Sequence, residues 1–208
     1  PSRITYSGCV INDWTPDGEK IIFASPKESG RQRFNRLFTV DRNGGLPEVL
    51  PPAYAENGSL SPDGKQLAFT DKSRLSRTWK RYRGGMAPDI FVMNLGDFST
   101  VNITNNAASD ELPMWHGNKI YYLSDNGTEK RYNIWVYDTG SKSHQQLTNF
   151  ENFDVHFPSI GPDDLVYEAG GDLYLLNLST GNSNKVSIQV VTDQLAAMPK
   201  TIKAQEYL

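Results

Sequence analysis

A tight turn spelled with Pro, Asp and Gly recurs along this chain at a nearly constant interval, and no other feature restricts the fold so severely. Trp14-Thr15-Pro16-Asp17-Gly18 leads into Ile21-Ile22-Phe23, and Leu60-Ser61-Pro62-Asp63-Gly64 leads into Leu67-Ala68-Phe69. Ile160-Gly161-Pro162-Asp163 leads into Leu165-Val166-Tyr167, while Trp115-His116-Gly117-Asn118 before Ile120-Tyr121-Tyr122 keeps the apolar frame without the Pro-Asp pair. Proline fixes φ at the first corner of a type I turn, aspartate bonds back to the backbone, and glycine takes the left-handed exit. Each copy therefore predicts strand, tight turn, strand.

Two further strands follow each copy. The first, at 37–41, 90–94, 134–138 and 173–177, is rich in aromatic and β-branched residues and ends in Asp41, Asn94, Asp138 or Asn177. The second is shorter, at 48–50, 101–104, 146–148 and 185–188. The aromatic closing the second strand recurs at Phe23, Phe69, Tyr122 and Tyr167, in steps of 46, 53 and 45 residues. Four short antiparallel strands every ~40–50 residues, with no helical period between them, predict an all-β fold of the β-propeller type. The blades fall at about 9–50, 57–104, 112–148 and 155–190, four in a row with four strands each.

Upstream of the first repeat, Arg3-Ile4-Thr5-Tyr6-Ser7 matches the closing strands Asn102-Ile103-Thr104 and Gln146-Leu147-Thr148. It reads as an orphan strand over 3–7 whose own blade lies upstream, so the chain is expected to be a piece of something larger. The rival is a closed four-bladed ring; an open arc would expose apolar sheet faces and self-associate through its blade edges or bind its missing part. Residues 191–208 leave the repeat and read as a connector towards another domain.

Composition narrows the partners. With 38% hydrophobic residues the chain can bury a core, and a net charge of −3 argues against a non-specific nucleic-acid or membrane-surface partner. No stretch approaches the ~18 consecutive apolar residues of a membrane span. The single cysteine, Cys9, has no internal disulfide partner. Sequence alone leaves the compartment unknown.

A search for chemistry returns little. Catalysis by a nucleophile needs a base within hydrogen-bond reach, and no Gly-x-Ser-x-Gly elbow accompanies His116, His144 or His156. His116 and His156 sit at equivalent places in consecutive repeats and read as structural. Paired cysteines, His-x-x-x-His and a complete calcium loop are all missing, and Asp125-Asn126-Gly127 reads as a turn, so no metal is expected. The paired glycines at 44–45, 84–85 and 170–171 lack the strand-to-helix setting of a phosphate cradle, and no cofactor is expected.

One constellation stands out. From Phe69 to Phe91 is 22 residues, against 15 from Phe23 to Phe38 and 13 from Tyr122 to Trp135. This excursion packs Lys72, Arg74, Arg77, Lys80, Arg81 and Arg83 around Trp79 and Tyr82. A focused positive field on an acidic chain suits carboxylates, which arginine grips through its bidentate fork. The readings are a solvated loop, a docking surface for other domains, or a peptide-carboxylate site; base stacking on Trp79 and Tyr82 is a weaker fourth.

The Pro-Asp-Gly-Lys repeat resembles TolB-like propellers. The run Arg77-Thr78-Trp79-Lys80-Arg81-Tyr82-Arg83-Gly84-Gly85 resembles an insertion in the first propeller of tricorn-type proteases. Phe34-Asn35-Arg36-Leu37-Phe38, Pro113-Met114-Trp115-His116-Gly117 and Asp154-Val155-His156-Phe157-Pro158 extend the likeness over nearly the whole chain. The resemblance implies part of a six-bladed propeller in a self-compartmentalising serine peptidase whose catalytic region is absent here. This chain would gate, channel or dock peptides without performing chemistry, in a cytoplasmic setting, or a periplasmic one if a signal peptide has been removed. The expected partners are peptides and the parent's remaining domains. The resemblance also implies a substrate C-terminal carboxylate held by basic residues, for which Arg77, Lys80, Arg81 and Arg83 are the candidates. The alternatives are a TolB-like interaction propeller with no enzyme attached and an accessory propeller of a prolyl-oligopeptidase-type enzyme.

Overall fold

The computed structural model describes residues 8–28, 34–73, 81–189, 201 and 203–207. The orphan strand expected at 3–7 and most of the 191–208 segment lie outside the described residues.

Four antiparallel sheets of four strands follow one another along the chain, each ordered as in the sequence. Blade 1 holds β1 (Val10–Trp14), β2 (Lys20–Ser25), β3 (Arg36–Asp41) and β4 (Glu48–Val49). Blade 2 holds β5 (Asn57–Leu60), β6 (Gln66–Thr70), β7 (Ile90–Asn94) and β8 (Thr100–Asn102). Blade 3 holds β9 (Asp110–His116), β10 (Lys119–Ser124), β11 (Asn133–Asp138) and β12 (His144–Gln146). Blade 4 holds β13 (Val155–Ile160), β14 (Asp164–Ala169), β15 (Asp172–Asn177) and β16 (Ser183–Lys185). A 3-10 turn lies at Ala204–Tyr207.

The turn chemistry explains the repeated spelling. Asp17 Oδ1 accepts from Thr15 Oγ1 at 2.6 Å and from the Glu19 amide at 3.0 Å, and Gly18 takes φ +69°. Asp63 repeats this with Ser61 at 2.6 Å and the Lys65 amide at 3.1 Å, and Gly64 takes φ +68°. The residue ending each third strand has an equally local task. Asp41, Asn94, Asp138 and Asn177 accept from the amides of Asn43, Gly96, Gly140 and Thr180 at 2.8, 2.8, 3.0 and 3.0 Å, the side chain mimicking a backbone turn.

The fourth strands of blades 2 to 4 end two or three residues earlier than the sequence suggests. Hydroxyls are the reason in two of them: Thr104 and Thr148 turn from the ladder and accept from the amides of Ile90 and Ile134 at 2.8 and 2.9 Å. One backbone bond still closes each blade there, from Leu50, Ile103, Leu147 and Val186 to the carbonyls of Leu37, Ile90, Ile134 and Leu173.

Inner strands touch in the order β1, β5, β9, β13, so the blades are arranged around a common line of first strands. Among the described residues no comparable packing returns from β13 to β1. Each blade buries its middle strands against a neighbouring blade. Ile22, Ala24 and Leu37 of blade 1 pack on Leu67 and Phe69 of blade 2; Leu123, Ile134 and Val136 of blade 3 pack on Leu165, Tyr167 and Leu176 of blade 4. The outer face of blade 4 is different, for Leu173 and Leu175 are each 40% exposed while Leu176, on the seam side, is 0%.

Two inner strands carry bulges at unusual backbone. Leu112 and Phe157 adopt φ +53° and +50° immediately before Pro113 and Pro158, where the registers of β9 with β10 and β13 with β14 slip. The bulge re-aims the strand, and in both blades it falls just before the stretch that enters the turn.

Gly58 on β5 has no room for a side chain: a Cβ there would collide with the Leu37 side chain and lie 3.4 Å from Leu67 Cδ1. Gly58→Val should therefore push blades 1 and 2 apart and cost about 1–3 kcal/mol, read as a lower urea midpoint with an unchanged slope.

Candidate functional site

Alternating strand direction places the connections between second and third strands at the same end of the blades as the links from one blade to the next. The basic excursion, between β6 and β7, therefore emerges beside the blade 2 to blade 3 link. Of the four candidate site residues, Arg77 and Lys80 lie outside the described residues, as do Arg74 and Trp79. Arg81 and Arg83 are described, and both reach blade 3.

Arg83 grips Asp125 as a fork: Nη1 lies 2.8 Å from Oδ2, and Nη2 donates to the Asp125 carbonyl at 3.1 Å. The Asp125 side chain is only 4% exposed, and its other oxygen accepts from the Ser109 amide at 2.9 Å. Arg81 donates from Nε to the Lys130 carbonyl at 3.0 Å. At the other end of the excursion, Ser73 donates to Glu111 Oε2 at 2.7 Å, and the Tyr132 hydroxyl donates to Glu111 Oε1 at 2.7 Å. An excursion belonging to blade 2 by sequence is thus fastened at both ends to blade 3. Asp125, read from sequence as a turn residue, is a buried counter-ion. Glu111 and Asp110 drew no notice in the sequence; two adjacent acids opening an otherwise apolar strand were the available signal.

The same seam holds further polar groups. Tyr122 Oη and His144 Nδ1 are 2.8 Å apart. Burial holds the His144 pKa below its ordinary value. Burial and, secondarily, Asp110 raise that of Tyr122. Asp110 itself is 0% exposed. Burial, reinforced by Asp89 and opposed by nearby Ser124 and the hydrogen bond from Asn106, pushes its carboxyl up to about 7. His156 packs on Phe157, ring centres 5.7 Å apart. Among the described residues no group of three or more His, Cys, Asp or Glu side chains is arranged to hold a metal ion.

Successive four-stranded blades, Pro-Asp-Gly turns at one end and an elaborated loop end at the other define a β-propeller. Residues 1–182 match the tricorn protease N-terminal beta propeller domain, and the chain belongs to that family. A tricorn protease homolog of Saccharolobus solfataricus is 24% identical over 211 residues, covering 99% of this chain and 19% of the relative. The crystal structure of the tricorn protease superposes with a TM-score of 0.77 at 20% identity, covering 92% of this chain and 19% of that one. TolB from Acinetobacter baumannii gives 0.66 at 23% identity, covering 89% and 45%. The chain spans about a fifth of the length of the curated relative it matches. The resemblance read from the Pro-Asp-Gly repeats and the basic run is borne out.

Truncating Arg83 would strand Asp125 without its counter-charge. Arg83→Ala should cost about 1–3 kcal/mol, and Arg83→Lys should restore only part of it, because an ammonium cannot reproduce the fork. Urea midpoints of the two variants, compared with the wild type, measure both effects.

Proposed function

We propose that this chain is a non-catalytic propeller module of a tricorn-like peptidase, with 1–190 a partial propeller of four blades and 191–208 a connector to a further domain. Its task in this reading is to gate, channel or dock peptides, and to present one face to the parent's remaining domains. The observation that carries it is the basic excursion held across the blade 2 to blade 3 seam on the loop-bearing end. Arg81 and Arg83 are committed to blade 3 contacts, so carboxylate recognition falls to Arg77 and Lys80, with Arg81 and Arg83 holding the excursion in place. Family membership supports the peptidase context. Among the described residues no helix is long and apolar enough to cross a membrane.

A second reading, an interaction propeller of the TolB kind without an attached peptidase, draws on the fold likeness at a TM-score of 0.66. Peptide binding separates the two. In fluorescence anisotropy, peptides with a free C-terminal carboxylate should bind about tenfold or more tightly than their amidated forms, a preference of one salt-dependent charge pair. Arg77→Glu with Lys80→Glu should abolish the preference. Equal affinity for acid and amide would overturn the carboxylate assignment, and appreciable peptide hydrolysis by the purified chain would overturn the non-catalytic one.

A further inference from the structure

The blade 2 to blade 3 seam contains a buried ionisable group that the docking of the basic excursion does not use. Asp110 opens β9 and pairs across the ladder with Ser124, on the sheet face that also carries Tyr122 and Trp135. Blade 2 packs against this blade through β5 and β6, and the Asp110 amide donates to the Pro88 carbonyl at 2.9 Å, at the approach to β7. The residue therefore ties the two blades together through its backbone while its carboxyl lies inside the seam. Oδ2 accepts from Asn106 Nδ2 at 2.9 Å; Oδ1 is buried with no hydrogen-bond partner among the described residues.

The surrounding charges are unfavourable to a second negative charge. Asp89, from blade 2, repels Asp110. Behind Asp89 stand Asp71 and Lys72, which pair with each other at 3.0 Å. From β10 comes Tyr122, whose hydroxyl is engaged with His144. Glu111, next on β9, is satisfied by Ser73 and Tyr132, and Asp125 by Arg83. No cation among the described residues pairs with Asp110. A buried carboxylate with one orphaned oxygen and an anionic neighbour is costly, whereas the neutral acid carries no such penalty.

We propose that Asp110 makes the seam between blades 2 and 3 a proton-sensitive joint, tight while its carboxyl is neutral and loosened when it ionises. The carboxyl's position at about 7 in the folded state, against 3.8 ordinarily, agrees with this. A raised acid pKa means that the folded state holds the proton more firmly. Its contribution is fully present below the ordinary value and is lost as the pH rises to about 7. His144 works in the opposite sense, since its lowered pKa gives a contribution present above 6.5 and lost as pH falls. Wild type and Asp110→Asn both retain His144, so their difference isolates Asp110. The joint lies at the root of the excursion, through Pro88 and Asp89, and so couples the placement of that loop to pH.

Hydrogen–deuterium exchange at about pH 5 and about pH 7.5, corrected for intrinsic amide rates, tests the joint, because each pH unit between the two pKa values is worth up to tenfold in opening. Peptides over 101–116 should open about tenfold or more at the higher pH relative to peptides over 20–40 in blade 1, and Asp110→Asn should remove the difference. An equal pH response in Asp110→Asn, or a response spread evenly over every seam of the wild type, would overturn the proposal. Should the Asn variant fail to fold, carbon NMR titration of Asp110 in the wild type decides: a midpoint near neutrality supports the joint, and one near the ordinary carboxylate value sinks it.

Discussion

Burial of the middle strands of each blade against a neighbouring blade is the constraint from which the rest follows. A single four-stranded antiparallel sheet of two- to seven-residue strands has too little core of its own, so its middle strands are apolar on alternate residues in both directions and stack on neighbours. Ile22 and Leu37 look one way and Phe23 and Phe38 the other, all four at or near zero exposure. Outer strands face water on one side and are short. Everything functional is consequently pushed to the connections, where backbone bonding is completed by side chains such as Thr104 and Thr148 instead of by the sheet.

Much of this was legible in the sequence because it is local. Turn spelling, the Asp or Asn that ends each third strand, and the alternation of apolar residues depend on neighbours a few positions away, and they recur from blade to blade. The side-chain pairings that fasten the excursion to blade 3 are not local. That Arg83 would find Asp125, or Ser73 find Glu111, follows from the angle between blades 2 and 3, which no residue pattern encodes. Asp125 followed by Asn126 and Gly127 has the composition of an ordinary turn, and only its 4% exposure reveals the buried charge. Two of the fourth strands end earlier than the sequence predicts for a related reason, since Thr104 and Thr148 have good strand propensity and yet spend their hydroxyls on capping.

Buried polar groups gather at the seam between blades 2 and 3, while the blade 1 to blade 2 seam carries its own pairs, Ser59 with Asp13 and Asn35 with Glu56. Asp110, Glu111, Tyr122, Asp125, Tyr132 and His144 all belong to blade 3 and lie on the side of the long connection between β6 and β7. A buried polar network of this kind is less forgiving than an apolar seam. Each member must find its partner, so the relative placement of the two blades is specified more narrowly than packing alone would require.

The excursion from blade 2 that is fastened on blade 3 also has a historical meaning. Repeats that touch only through equivalent apolar faces can be duplicated, deleted or exchanged singly, because any copy fits any neighbour. Once Ser73 and Arg83 depend on acids carried by the following repeat, blades 2 and 3 are no longer separable units of inheritance. They form a two-blade unit, and an insertion or deletion between them would orphan charges on both sides.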